Sequence, residues 1–273
     1  MLMATKDNLD WNVITRDLSY QVDGSTYYVP NKKVHVRDDD FRAVGVTGLK
    51  YELFQNDSLK NFVNPLVEEG LLEIVNMGYI GVGQKVYIQA QMTKDYTIAG
   101  EQHRGMITLL NSHDGSASLA AGVTDQRVIC NNTFAMAMGD MSSKLRHTVG
   151  LADKATQITE IVDFVNERMA TFSEAAEVLA STKANILMVD AMIEDAFEKP
   201  AESVRATNSI REFYRSGMGN EGKTLWDSFN AITQFTTHQA GKDAGQRFAS
   251  VNFGRMAKIN RRAMESALEL AGV

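Results

Sequence analysis

The hydrophobic period of this chain changes once, near Asn131, and that change limits the folds open to it. Upstream, apolar and polar residues alternate in short runs cut by glycine and Asp-Gly, which predicts strands and tight turns. Tyr20 to Val29 around Asp23-Gly24 reads as a hairpin, since Asp-Gly supplies the positive φ angles of a primed turn, and Asn31 to Val36 continues as a strand. In Gln84 to Met92, Val86, Ile88, Ala90 and Met92 alternate with Lys85, Tyr87, Gln89 and Gln91, the pattern of a strand with one buried face. Gly105 to Leu110 and Ser116 to Val123 flank Asp114-Gly115 as a second hairpin. Between the hairpins Ser58 to Glu69 has helical spacing, with Ser58 as its expected N-cap.

Downstream the period is near 3.6. Leu151 to Ala196 carries Ile158, Ile161, Val165, Met169 and Phe172, then Val178, Leu179, Ile186, Val189 and Ile193, and Pro200 is expected to end this section. A loop through Gly217, Gly219 and Gly222 precedes a helix at Thr224 to His238, and a last helix is predicted from Arg247 to Ala271. The expected architecture is α+β: an antiparallel strand-rich part over 1–150 with hairpins, and a long-helix part over 151–273 packed on it.

With 273 residues and 44% apolar side chains the chain can bury a core. A single cysteine, Cys130, excludes an internal disulfide, and no Cys/His spacing matches a structural zinc site. The N-terminal residues lack a leader pattern and no apolar run suits a membrane span, so the expectation is a cytoplasmic protein with no membrane contact. The net charge of -6 argues against indiscriminate coating of polyanions, yet from Lys242 to Arg262 six cations face only Asp243.

Three motifs invite chemistry. Gly217 to Thr224, GMGNEGKT, satisfies the phosphate-loop pattern, which needs a buried strand before it; Ser209 to Ser216 is charged and helical instead, and Glu221 would aim a carboxylate at the phosphates. Gly78, Gly81 and Gly83 have the wrong spacing for a dinucleotide fingerprint and lead into a strand. His113-Asp114 could be a base or metal pair, but adjacent residues diverge on a strand, and Asp-Gly at a hairpin tip needs no catalytic explanation. Cys130, after Val128 and Ile129, reads as a buried small hydrophobe. Asn131, Asn132 and Thr133 read as caps of a following helix. No catalytic residue, metal or cofactor is assigned.

Ser112-His113-Asp114-Gly115-Ser116, then Arg127-Val128-Ile129-Cys130-Asn131-Asn132-Thr133, then Arg146-His147-Thr148, and later Gly222, Thr224, Trp226, Asn230, Ala231 and His238 occur in order. These blocks resemble the phage and plasmid protein family called domain of unknown function 932. The resemblance implies a phage, prophage or plasmid setting and hence a bacterial cytoplasm. It assigns no reaction. By analogy with proteins that mobile elements encode, the first functional expectation is a single-stranded-DNA-binding protein of the annealing type, which would form homo-oligomers. Such binding needs a cationic groove with flat side chains for base stacking. The candidates are Lys85, Tyr87, Arg104, Arg127, Lys144 and Arg146 in the strand-rich part, and Arg247, Arg255, Lys258, Arg261 and Arg262 in the last helix. The alternative is a host-interaction or inhibitor protein, contacting host or phage replication proteins through its surface, for which 14 methionines supply adaptable contacts.

Overall fold

The structure, a computed structural model, describes residues 4–135, 161–198 and 200–273. The strands are β1 (Ala4–Lys6), β2 (Val13–Val22), β3 (Ser25–Arg37), β4 (Ala43–Gly48), β5 (Leu72–Ile80), β6 (Lys85–Ile98), β7 (Glu101–Ser112), β8 (Ala120–Arg127) and β9 (Asn132–Ala135), with helix α1 (Asn56–Glu68) after β4. The described helices that follow are α2 (Ile161–Ser181), α3 (Ile186–Ala196), α4 (Pro200–Ser216), α5 (Leu225–His238), α6 (Ala244–Phe253) and α7 (Arg255–Ala271). The class is therefore α+β, an antiparallel strand-rich half followed by a helical half, as the change of period predicts. One sheet has the order β1-β5-β6-β7-β8-β9 and the other β2-β3-β4. Among the described residues no helix is long and apolar enough to cross a membrane.

The described residues form two compact units, the first over 4–93, 107–122 and 161–162, the second over 94–106, 123–135, 163–198 and 200–273. Strands β6, β7 and β8 each begin in one unit and end in the other.

In the first unit, Asp23 and Gly24 at φ 48° and 81° make the turn between β2 and β3, as Asp-Gly predicts. Leu9, Trp11, Val13, Val44, Phe54, Leu59 and Val63 build the core. Helix α1 starts before Ser58. Gln55 holds the cap position without a side-chain cap, because its amide is spent on β2, accepting from Val13 N (2.9 Å) and donating to Val13 O (3.0 Å). Strand β6 is covered on both faces over its first half, so Tyr87 and Gln89 are as buried as Val86 and Ile88. Gln89 meets its burial by donating to Thr108 Oγ1 at 3.1 Å. The second hairpin has a longer loop than predicted, with β8 beginning only at Ala120.

In the second unit, Asn131 does not begin a helix. Its φ of 53° turns β8 into β9, which pairs Arg127 with Asn132 and Thr124 with Ala135. Pro200 opens α4 instead of ending a helix; the first helical position has no use for an N–H. The expected last helix is two helices, broken at Gly254, whose φ of -119° and ψ of -147° leave the helical region. Residues 151–160 of the predicted long helix lie outside the described residues.

Candidate functional site

Arg127 ends β8 and is 1% exposed. Its guanidinium takes Glu101, at the start of β7, in a two-pronged pair: Nε donates to Oε2 at 2.7 Å and Nη2 to Oε1. The remaining donors face the loop after α4. Nη1 reaches Asn220 Oδ1 (3.0 Å) and Met218 O (3.2 Å), and Nη2 reaches Gly219 O (2.9 Å). Gly219 has φ +75°, and a Cβ there would lie 2.6 Å from Arg127 Nη2, so the close approach requires glycine. Trp226, in the first turn of α5, donates its indole N–H to Glu101 Oε2 at 3.1 Å. A planar fork satisfied by a carboxylate, an amide and two carbonyls is an internal clamp.

The same loop carries the phosphate-loop pattern, and its amides are occupied by the protein itself. Asp227 accepts from Glu221 N (3.1 Å), Lys223 N (2.9 Å) and Thr224 N (3.0 Å), and with Thr224 it closes a capping box on α5. Lys223 Nζ pairs with Glu221 at 2.6 Å, and a helix, α4, precedes the loop. The sequence-based objection to nucleotide binding at GMGNEGKT therefore has a structural basis.

Beside the clamp, His103 on β7 donates Nδ1–H to Asp125 on β8, 2.9 Å from both carboxylate oxygens. Both residues are buried. Burial pushes the Asp125 carboxyl up, against the opposing pull of His103 and Arg127. The imidazole lies among Phe172 and Trp226, with ring centroids at 6.1 and 5.9 Å, and its Nε2 has no hydrogen-bond partner among the described residues. The other family-block residues tie β9 to the helices. Asn132 donates to Asn230 O (3.1 Å) and Thr233 Oγ1 (3.3 Å), and Thr133 N to Thr237 Oγ1 (3.1 Å). Asn230 donates to Trp226 O (3.0 Å), and His238 Nε2 to Cys130 O (2.9 Å). Cys130 is buried, which pushes its thiol up and leaves it unreactive. Between Asp125, Arg127, Asn132, Trp226, Asn230 and Thr233 lies a cavity of about 10 Å³, space for about one water.

In the first unit the His113-Asp114 turn is equally occupied. His113 is 0% exposed; its Nε2 donates to Asn56 Oδ1 (3.0 Å) and its ring meets Trp11 edge-on at 5.8 Å. Asp114 Oδ1 accepts from Ser116 N (2.9 Å), and the Tyr51 hydroxyl donates to Ser112 O (2.6 Å), burial pushing its pKa up to about 12. His113 belongs to the first unit and Arg127 to the second. Among the described residues no cluster of three His, Cys, Asp or Glu could hold a metal ion.

Two of the sequence-based nucleic-acid contacts are corrected by this packing. Tyr87 and Arg127 are each 1% exposed and offer no face to a ligand, because β6 is covered on both sides and the Arg127 fork is filled. Lys85 and Arg104 are half-buried, Arg104 lying 3.7 Å from Asp95. Lys144 and Arg146 lie outside the described residues. The C-terminal cations do come together. Arg255, Lys258, Arg261 and Arg262 fall at three- and four-residue steps on α7, Lys258 exposed and the others half-buried, and Arg262 pairs with Glu198 at 2.7 Å. Arg247 on α6 is half-buried beside them in sequence. Sequence reasoning missed Phe248 and Phe253, half-exposed rings 6.1 Å apart that adjoin these cations in sequence; their spacing within the basic run was the available signal.

A family profile described as a domain of unknown function (DUF932) matches residues 43–265. No curated protein and no solved structure matches the chain. The matched span includes the His113 turn of the first unit and, in the second, the Arg127 clamp and the capped α5. The protein belongs to the family of domain of unknown function 932.

Proposed function

We propose that the protein acts by binding, and that its ligand is single-stranded nucleic acid, held as an annealing protein holds it, on the segment formed by α6 and α7. One observation carries this reading: Arg247, Arg255, Lys258, Arg261 and Arg262 occur with the half-exposed Phe248 and Phe253 within sixteen residues of a chain whose net charge is -6. Cations that track phosphates beside flat rings on which bases stack are the two components of single-strand binding. The break at Gly254 turns the chain between α6 and α7, so the cations do not share one straight helix. The setting that goes with this reading is a phage, prophage or plasmid gene acting in a bacterial cytoplasm during recombination or replication.

The test is a titration of fluorescent single- and double-stranded oligonucleotides at two salt concentrations, followed by anisotropy. Lys258→Glu with Arg262→Glu should weaken single-strand binding and flatten the log-log salt dependence by roughly 0.7 per lost phosphate contact. No binding by the wild type at low salt, or an unchanged slope in the double variant, refutes the proposal.

A further inference from the structure

The first unit projects a ribbon that its own core does not use. From Ser19 to Tyr28 every residue of the β2–β3 hairpin is exposed. Tyr20 is 54%, Val22 48%, Tyr27 48% and Tyr28 68% exposed. Directly paired residues share a face, so Tyr20 and Tyr27 stand together, their rings stacked at 5.6 Å, with Val22 on the same side. A two-stranded ribbon with no layer against it is marginal in water, and a strip of large exposed side chains marks a contact surface.

The ribbon's two edges are not alike. β4 pairs with β3 only from Lys32 to Val36. Beyond that, Pro30 removes a donor, Asn31 sits at φ 60°, and the register breaks between Asp17 and Ser19; a proline and a bulge are devices that prevent strand addition. The outer edge of β2, Val13–Val22, contains no proline and has no strand beside it among the described residues. Charge then selects the occupant. Between Leu18 and Asn31 the only charged residue is Asp23 at the tip, while Arg16, Lys32 and Lys33 lie at the base, Lys33 paired with Asp17. Nucleic acid would need cations along the ribbon, where there are none. A second copy paired antiparallel over residues 15–23 brings the acidic tip of each ribbon beside Thr15 and Arg16 of the other, short of Asn12, which is bonded to Asp38 and Asp57.

We propose that two copies of this chain associate through their β2 edges, antiparallel about a two-fold axis, joining the two ribbons into one four-stranded sheet that carries Tyr20, Val22 and Tyr27 of both copies on one face. The interface is separate from the α6–α7 segment and does not depend on nucleic-acid binding.

The test is sedimentation velocity of the full chain over a concentration series, with hydrogen exchange of the β2 amides at its two ends. The wild-type mass should double as concentration rises, and the amides from Ser19 to Val22 should gain protection with it. Tyr20→Lys with Val22→Lys, at exposed positions, should remain monomeric with an unchanged circular dichroism spectrum. Asp23→Asn keeps a residue that tolerates the left-handed turn and removes the complementary charge; it should weaken dimerisation by roughly two- to tenfold, the effect of two screened ion pairs. A wild type that stays monomeric overturns the proposal, as does a dimer without β2 protection or a lysine variant of wild-type mass.

Discussion

Replacing Arg127 with alanine separates an internal clamp from a ligand contact. The side chain is 1% exposed and makes five hydrogen bonds, two to Glu101, one to Asn220 and two to the carbonyls of Met218 and Gly219. Alanine leaves the Glu101 carboxylate holding only the Trp226 indole and strips two loop carbonyls of their donor. Removing one partner of a buried ion pair costs about 3–5 kcal/mol. In a chain of this length each kcal/mol moves the melting midpoint by roughly 2–4 °C, so a drop of roughly 6–20 °C is expected. Arg127→Lys keeps the charge and loses the fork, and should fall between wild type and alanine. Differential scanning calorimetry reads the midpoint, and oligonucleotide titration at a temperature where both proteins are folded reads binding. A midpoint within about 2 °C of wild type would show the clamp to be dispensable. Weakened oligonucleotide binding at an unchanged midpoint would restore the nucleic-acid role that burial argues against.

Two further perturbations test the packing of each unit. Burial lifts the Asp125 carboxyl above its ordinary 3.8, so the folded chain keeps that proton to higher pH than the unfolded chain; the stability this group contributes is fully present below the ordinary value and is lost as pH rises through the raised one. Urea melts across the acid range should show Asp125→Asn gaining on wild type as pH climbs, and a difference that is flat or falls with pH would refute the sign. Gly45→Ala would place a Cβ 2.5 Å from Asp114 Cα and 2.7 Å from His113 O, contacts with backbone that cannot yield, for a cost of roughly 1–3 kcal/mol. A wild-type melting midpoint in that variant would show that the His113 turn is looser than described.

What could be read from the sequence was what is local. The turn at Asp23-Gly24 needs only two residues with positive φ, and the capped start of α5 needs only Thr224 and Asp227, three apart. Asn131-Asn132-Thr133 was ambiguous in principle, since the side chains that cap helices also tolerate left-handed turns, and pairing with β8 decides between them. Alternation in β6 suggested one wet face, but a polar residue such as Gln89 can be buried once Thr108, nineteen positions away, accepts its proton. The fate of Arg127 rests on partners 26 and 91 to 93 residues distant, beyond any window of spacing or period. The cations of α7 were legible as a cluster because a helix brings near neighbours together, whereas the Gly254 break that divides them depends on tertiary packing.

The passage of β6, β7 and β8 between the two units has a genetic consequence. Among the described residues the chain crosses from one unit to the other after residues 93, 106, 122 and 162, so neither unit is a contiguous stretch. No stop codon or single splice yields one unit whole, and a segment exchanged between diverged relatives would carry incomplete parts of both. Exchange between relatives would preserve both units only if the coding stretch that they share moved together.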